Sequence, residues 1–279
     1  MHLLGRVVVF AEKLPTLWAD GGMRLMLRIA IANGKGGTGK TSTTVHLADA
    51  LACRGAHVLV IDLDDQANAT KFIGGECRAG RPTVGDLLLE RAGIADVLTE
   101  ARNGIHLFPS RRGLEEKSHE LLTAYYRQEK LAEGLKAAEA TYDVGLFDCP
   151  PALSVLTANA IFAADWLLVP TVLDAAAYDG LDDLLEFARV VRRDPLPSSI
   201  LISNYDGRNR RVNEAVEPAL LENYTILDVR VPTCQAVPQA HSALCAIREV
   251  NPQSRAWQAF QELAAQVLAL QQETKNAAA

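Results

Sequence analysis

The stretch NGKGGTGKTS, Asn33 to Ser42, decides how the rest of this 279-residue chain is read. It follows a short apolar run, LRIAIA (27–32), and opens a helix-forming run from about Lys40 to Cys53. Gly34 to Thr41 matches G-x-x-x-x-G-K-[ST], and a strand before it with a helix behind is the context that gives this pattern meaning. Gly34, Gly36, Gly37 and Gly39, with Thr38 between them, let successive backbone N–H groups turn toward one anion. The helix N-terminus adds positive potential at the same place. The physical reading is a cradle for the phosphates of a nucleoside triphosphate. Lys40 reaches the β- and γ-phosphates, the Thr41 hydroxyl ligates Mg²⁺, and Ser42 closes the phosphate-binding stretch. A second lysine, Lys35, has no local use in such a loop.

Outward from the loop, short apolar runs alternate with helix-forming segments. The strand candidates are 27–32, HVLVID (57–62), IHLF (105–108), VGLFD (144–148), WLLVP (166–170), SILIS (199–203) and TILDV (225–229). Their lack of polar alternation predicts parallel strands covered on both faces. Helices are expected near 113–121, 126–140, 153–164, 178–193, 210–223 and 254–272. The expected fold is α/β: a doubly wound, mainly parallel sheet of about seven strands flanked by helices, with ligands at the carboxyl ends of the strands.

Composition narrows the function classes. Hydrophobic residues make up 49% and aromatics 6%, which favours helices on a parallel sheet over an all-β sandwich. A net charge of −6 argues against the uniformly basic field of a dedicated nucleic-acid binder but leaves room for a local patch. The five cysteines (Cys53, Cys77, Cys149, Cys234 and Cys245) lack CxxC spacing and are odd in number, as expected of reduced thiols. No run reaches the ~20 apolar residues that span a bilayer. Residues 1–25 contain only a brief apolar run, VVVFA, without a cleavage site after it. We expect them to be a disordered extension or a mis-assigned start, with translation beginning at Met23 or Met26, and residues 26–279 to form one domain.

With a lysine directly after its first glycine, KGGTGKTS resembles the deviant phosphate loop of the ParA/MinD family of dimeric ATPases. The resemblance covers about residues 27–272. It implies that Lys35 reaches across an ATP-bound homodimer to the partner's phosphates; the alternative is a solvated loop lysine. IDLDDQAN (61–68) resembles the D-x-D-P-Q-G-N run of partition members, with Asp65 in place of Pro and Ala67 in place of Gly. Asp64 then positions the attacking water, and Asp62 stands behind it; a bare helix-capping role for Asp64 is the alternative. DVGLFDCPPA (143–152) resembles the Walker B strand, which assigns Asp148 to Mg²⁺ through water. Cys149 beside it reads as a small buried residue. SNYDGRNRRVNEAV (203–216) resembles the N-x-x-D-x-R segment, which makes Asn204 a reader of the adenine edge. VPTCQAVPQAHSA (231–243) stands where the family has I-P-R-N-x-x-x-x-E-A-P-S. Pro232 would line the adenine pocket, while Thr233 and Cys234 replace the Arg-Asn pair.

The resemblance implies an Mg²⁺-dependent ATPase of DNA segregation, plasmid or chromosomal, found in the cytoplasm on the nucleoid. It would dimerise with ATP, bind DNA without sequence preference, and be stimulated by a ParB-like adaptor. Arg208, Arg210, Arg211, Arg248 and Arg255 are the candidate DNA contacts; a solvated surface is the alternative. Trp257, Phe260, Leu263, Val267 and Leu270 form one stripe opposite Gln and Glu, which predicts packing on the parent domain rather than membrane binding. Two other readings share the fold: an ATPase positioning a protein cargo on the nucleoid, and a metabolic or redox ATPase. The second fits poorly, since Cys149 is not placed to bridge a cluster.

Overall fold

The structure, a computed structural model, describes residues 26–74, 80–174, 177–178 and 180–278. The readings made for residues 1–25 and for Cys77 lie outside the described residues.

The strands are β1 (Leu27–Ile31), β2 (Val58–Asp62), β3 (Thr99–Glu100), β4 (His106–Phe108), β5 (Val144–Asp148), β6 (Trp166–Thr171), β7 (Ser198–Tyr205) and β8 (Ile226–Pro232). They join in one sheet of order β3-β4-β2-β5-β1-β6-β7-β8. Every pairing is parallel except that of β3 with β4. The helices of the first half are α1 (Lys40–Ala52), α2 (Asn68–Phe72), α3 (Val84–Leu88), α4 (Ile94–Val97), α5 (Leu114–Leu121) and α6 (Lys130–Leu135). Those of the second are α7 (Val155–Ala163), α8 (Leu181–Val191), α9 (Arg210–Asn223), α10 (Ala236–Ala243), α11 (Ile247–Val250) and α12 (Arg255–Ala278).

Successive side chains of a strand point to opposite faces, and here both faces are buried. Leu27, Ile29 and Ile31 of β1 join one core with Leu47 and Leu51 of α1 and with Phe260 and Leu263 of α12. Met26, Ala30 and Ala32 join the other, with Leu156 and Ile161 of α7 and Leu184 of α8. This division is why the strands read as unbroken apolar runs. The expected stripe on α12 is buried throughout. Among the described residues no helix is long and apolar enough to cross a membrane.

The sheet differs from the seven-strand expectation by β3, an antiparallel edge strand of two residues, too short to leave an apolar pattern. The helix expected over 126–140 is confined to Lys130–Leu135; at its start, Tyr126 takes a left-handed backbone, φ 53°, that breaks helical hydrogen bonding. Cys53, Cys149, Cys234 and Cys245 are free thiols.

One buried ion pair ties the first strand to the sheet. Arg28, 2% exposed, donates from Nε and Nη2 to Asp165 at 3.1 and 2.8 Å, and from Nη1 to Glu139 at 3.1 Å. Removing the guanidinium takes the charged partner from buried Asp165, which keeps the Arg28 N–H at 2.9 Å. Arg28→Met is expected to cost about 3–5 kcal/mol in chemical denaturation. A loss below about 1 kcal/mol would put the pair in the class of exposed ones.

Candidate functional site

β1 lies between β5 and β6, where the direction of winding reverses, so the loop after it emerges in the crevice at the carboxyl edge. The loops after β2, β5, β6, β7 and β8 reach the same edge. That brings together Lys35, Lys40, Asp64, Asp148, Asn204 and Pro232, which stand far apart in sequence.

Backbone geometry shapes the loop. Gly37 and Gly39 have φ of 74° and 92°, a region that side chains resist. A Cβ built on Gly34, Gly36 or Gly37 would meet nothing within 4 Å, so the loop is open beside these glycines. Asn33 braces the loop by donating to Pro170 O at 2.9 Å and accepting from Lys35 N at 2.9 Å. Ser203 Oγ donates to Thr38 O at 2.6 Å and ties the loop to β7. Lys40 is almost wholly buried, and its Nζ donates to Lys35 O at 3.0 Å. Burial lowers its pKa, and Asp148 opposes that shift.

Thr41 Oγ1 donates to Asp148 Oδ2 at 2.8 Å, and Thr44 Oγ1 to Asp148 Oδ1 at 3.1 Å. Asp62 and Asp148 are register partners on neighbouring strands, and both are fully buried. Burial first, and then Asp62, pushes the Asp148 carboxyl well above its usual range; burial likewise raises Asp62, to about 6. Asp148 and the Thr41 hydroxyl offer oxygen donors of the kind that suit a hard divalent cation such as Mg²⁺. Burial pushes the Cys149 thiol up, which removes it as a nucleophile.

The loop after β2 is held by partners invisible in local sequence. Asp62 accepts from Thr70 N and Oγ1 at 2.8 and 2.7 Å and from Asp64 N at 3.1 Å. Thr70 Oγ1 accepts in turn from Ser110 N at 3.0 Å, and Ser110 Oγ donates to Asp64 O at 2.6 Å. Asp64 keeps its own carboxylate half-exposed, accepting from Gln66 N at 2.9 Å. The N-cap of α2 is Ala67, so Asp64 does not cap that helix.

Lys35 is no free loop lysine. Its Nζ lies 2.8 and 3.1 Å from the two carboxylate oxygens of Asp174, just past β6, with both side chains about two-fifths exposed. Asn204 and Pro232 line a cavity of about 330 Å³ that opens from Gly37–Gly39 and Ser42. Thr233 Oγ1 lies 3.0 Å from both O and Oδ1 of Asn204 and shares its one proton between them, so the residue replacing the family's arginine holds Asn204 in place. Arg208, Arg210 and Arg211 are exposed around the start of α9, Arg208 paired with Asp206. Arg248 and Arg255 belong to α11 and α12, and Arg248 is engaged by buried Asp49 at 2.6 Å.

A doubly wound sheet carrying this loop, an oxygen donor set and an adjoining cavity defines a P-loop nucleotide-binding protein. The AAA domain family (AAA_31) matches residues 26–201. The sporulation initiation inhibitor protein Soj of Bacillus subtilis is 32% identical over 250 residues, covering 86% of this chain and 98% of that protein. The chromosome-partitioning ATPase Soj of Thermus thermophilus is 35% identical over 252 residues, covering 88% and 97%. Among solved structures, cobyrinic acid a,c-diamide synthase from Mycobacterium smegmatis with bound ATP analog and magnesium superposes with a TM-score of 0.73 at 27% identity, covering 86% and 93%. The chain belongs to the ParA/Soj-type family of deviant Walker A P-loop ATPases.

Proposed function

We propose that this ATPase is a dimeric switch for DNA segregation, with ATP as substrate and Mg²⁺ as cofactor. The observation that carries the reading is Lys35, held at the rim of its own loop by a half-exposed carboxylate rather than turned into the loop. An ion pair so exposed is weak, so a more negative group on a second copy can take the ammonium from Asp174.

Each residue then has a role in one domain, residues 26–279. The loop amides of Gly34–Thr41 and Lys40 bind the phosphates, with Ser42 beside them. Thr41 and Asp148 hold Mg²⁺, which supplies positive charge to the transferring phosphoryl group. Asp64 orients water. Its main chain is fixed through Asp62, Thr70 and Ser110, which leaves the carboxylate to align a nucleophile. Asn204 and Pro232 receive the base, and Lys35 completes the site of the partner copy.

The dimer retains non-specific DNA in the cytoplasm, on the nucleoid, and a ParB-like adaptor stimulates hydrolysis and release. Arg208, Arg210 and Arg211 form the principal DNA contact, with Arg248 and Arg255 as further candidates. In a gel shift at low salt, ATP·Mg²⁺ is expected to retard a random duplex where ADP does not. Removing Arg210 and Arg211 together takes four cations from the dimer, and should weaken retention and lower the salt slope by about four. Equal mobility with ATP, ADP and no nucleotide would refute the DNA reading.

A further inference from the structure

The cavity between the phosphate loop and Asn204 is backed by α10, whose last turn carries His241. Its Nε2 lies 2.7 Å from Oγ of Ser42, a cavity-lining residue two positions past Lys40. The ring is fixed by packing: Phe72 of α2 meets it edge-on at 4.6 Å between centroids, and His46 of α1 lies at 6.3 Å. The contact joins residues 199 apart in sequence, so the tertiary fold makes it. His46 stands one turn after Ser42, and its Nε2 has no hydrogen-bond partner among the described residues. Burial holds the pKa of His46 down to about 3 and lowers that of His241, so the ring behind the pair is neutral.

A hydroxyl has one proton to give and lone pairs to receive with. If Ser42 donates to His241, it presents only lone pairs to the cavity, and these repel a phosphate oxygen. If Nε2 carries the proton and donates to Oγ, the Ser42 proton is released toward the cavity. Only the second arrangement suits an anion. We propose that His241 is a positioning residue for nucleotide binding, its Nε2–H turning the Ser42 hydroxyl into a donor for a phosphate oxygen. His241 touches no ligand itself. The inference rests on the reading that the nucleotide occupies this cavity, and it adds a requirement: the bound state selects the Nε2–H form of His241.

Calorimetric titration with ADP·Mg²⁺ at neutral pH, joined to ¹⁵N spectra of the imidazole nitrogens, tests it. His241→Leu removes the bond that holds the Ser42 hydroxyl and should weaken ADP binding by about two- to tenfold, the scale of one neutral hydrogen bond. His241→Gln, whose amide N–H can stand where Nε2–H stood, should restore most of the affinity. With Ser42 already changed to Ala, His241→Leu should cost nothing more. In the unaltered protein, saturation with ADP should move the His241 Nε2 resonance to the protonated range. Equal losses for Leu and Gln, a full loss without the Ser42 hydroxyl, or an unchanged Nε2 resonance would each overturn the proposal and leave His241 a packing residue. The spectroscopic arm decides even if a variant fails to fold. Lys40→Ala separates the two levels: if it binds ADP like the unaltered protein, the nucleotide reading of the cavity falls, and the proposal with it.

Discussion

Lys35→Ala is expected to bind ATP with near-native affinity and to lose hydrolysis by about 10³-fold, the lower end of what a cation supplied in trans contributes to phosphoryl transfer. Binding survives because its determinants stay in place: the left-handed turns at Gly37 and Gly39, the Asn33 and Ser203 braces, and buried Lys40. Folding survives because the lost partner, Asp174, is half-exposed, and such pairs contribute about 0–1 kcal/mol. Calorimetry and phosphate release, run side by side, check both halves. Normal turnover in the variant would make Lys35 a loop residue paired with Asp174 and nothing more.

Asp64→Ala should behave in the complementary way. ATP binding and assembly persist, while turnover falls about 10²–10⁴-fold, the range for a positioned group that handles the nucleophile's proton. The loop should hold its shape, because its anchors are Asp62, Thr70, Ser110 and the main chain of Asp64. The side chain itself holds only Gln66 N among the contacts described above. Single-turnover measurements would show the deficit in the chemical step. An unchanged single-turnover rate would assign the carboxylate to the turn.

The phosphate loop and the parallel sheet were legible because each is written locally. Glycine spacing and apolar runs are properties of neighbouring residues, and burial on both faces removes polar alternation. What escaped was written across the fold. Asp174, Thr70, Ser110, Ser203, Thr233 and His241 become partners of the site only when strand ends meet, and no spacing announces that. The departures at Asp65 and Ala67 show the same limit. Asp65 accepts from Gly113 N at 2.7 Å and Glu115 N at 3.2 Å, so it anchors the start of α5 where the family has proline. Ala67 adopts φ 52°, a conformation that glycine takes without strain. The arginines were harder to read, because exposure alone does not separate a DNA contact from Arg248, which is committed to Asp49.

In the proposed switch, nucleotide state is assembly state, with Lys35 as the link. Its most direct test is mass by light scattering on a sizing column, with ATP·Mg²⁺ and with ADP·Mg²⁺, for the unaltered chain and Lys35→Ala. The unaltered chain should be a dimer with ATP and a monomer with ADP, and Lys35→Ala a monomer with either. One mass in all four would contradict it.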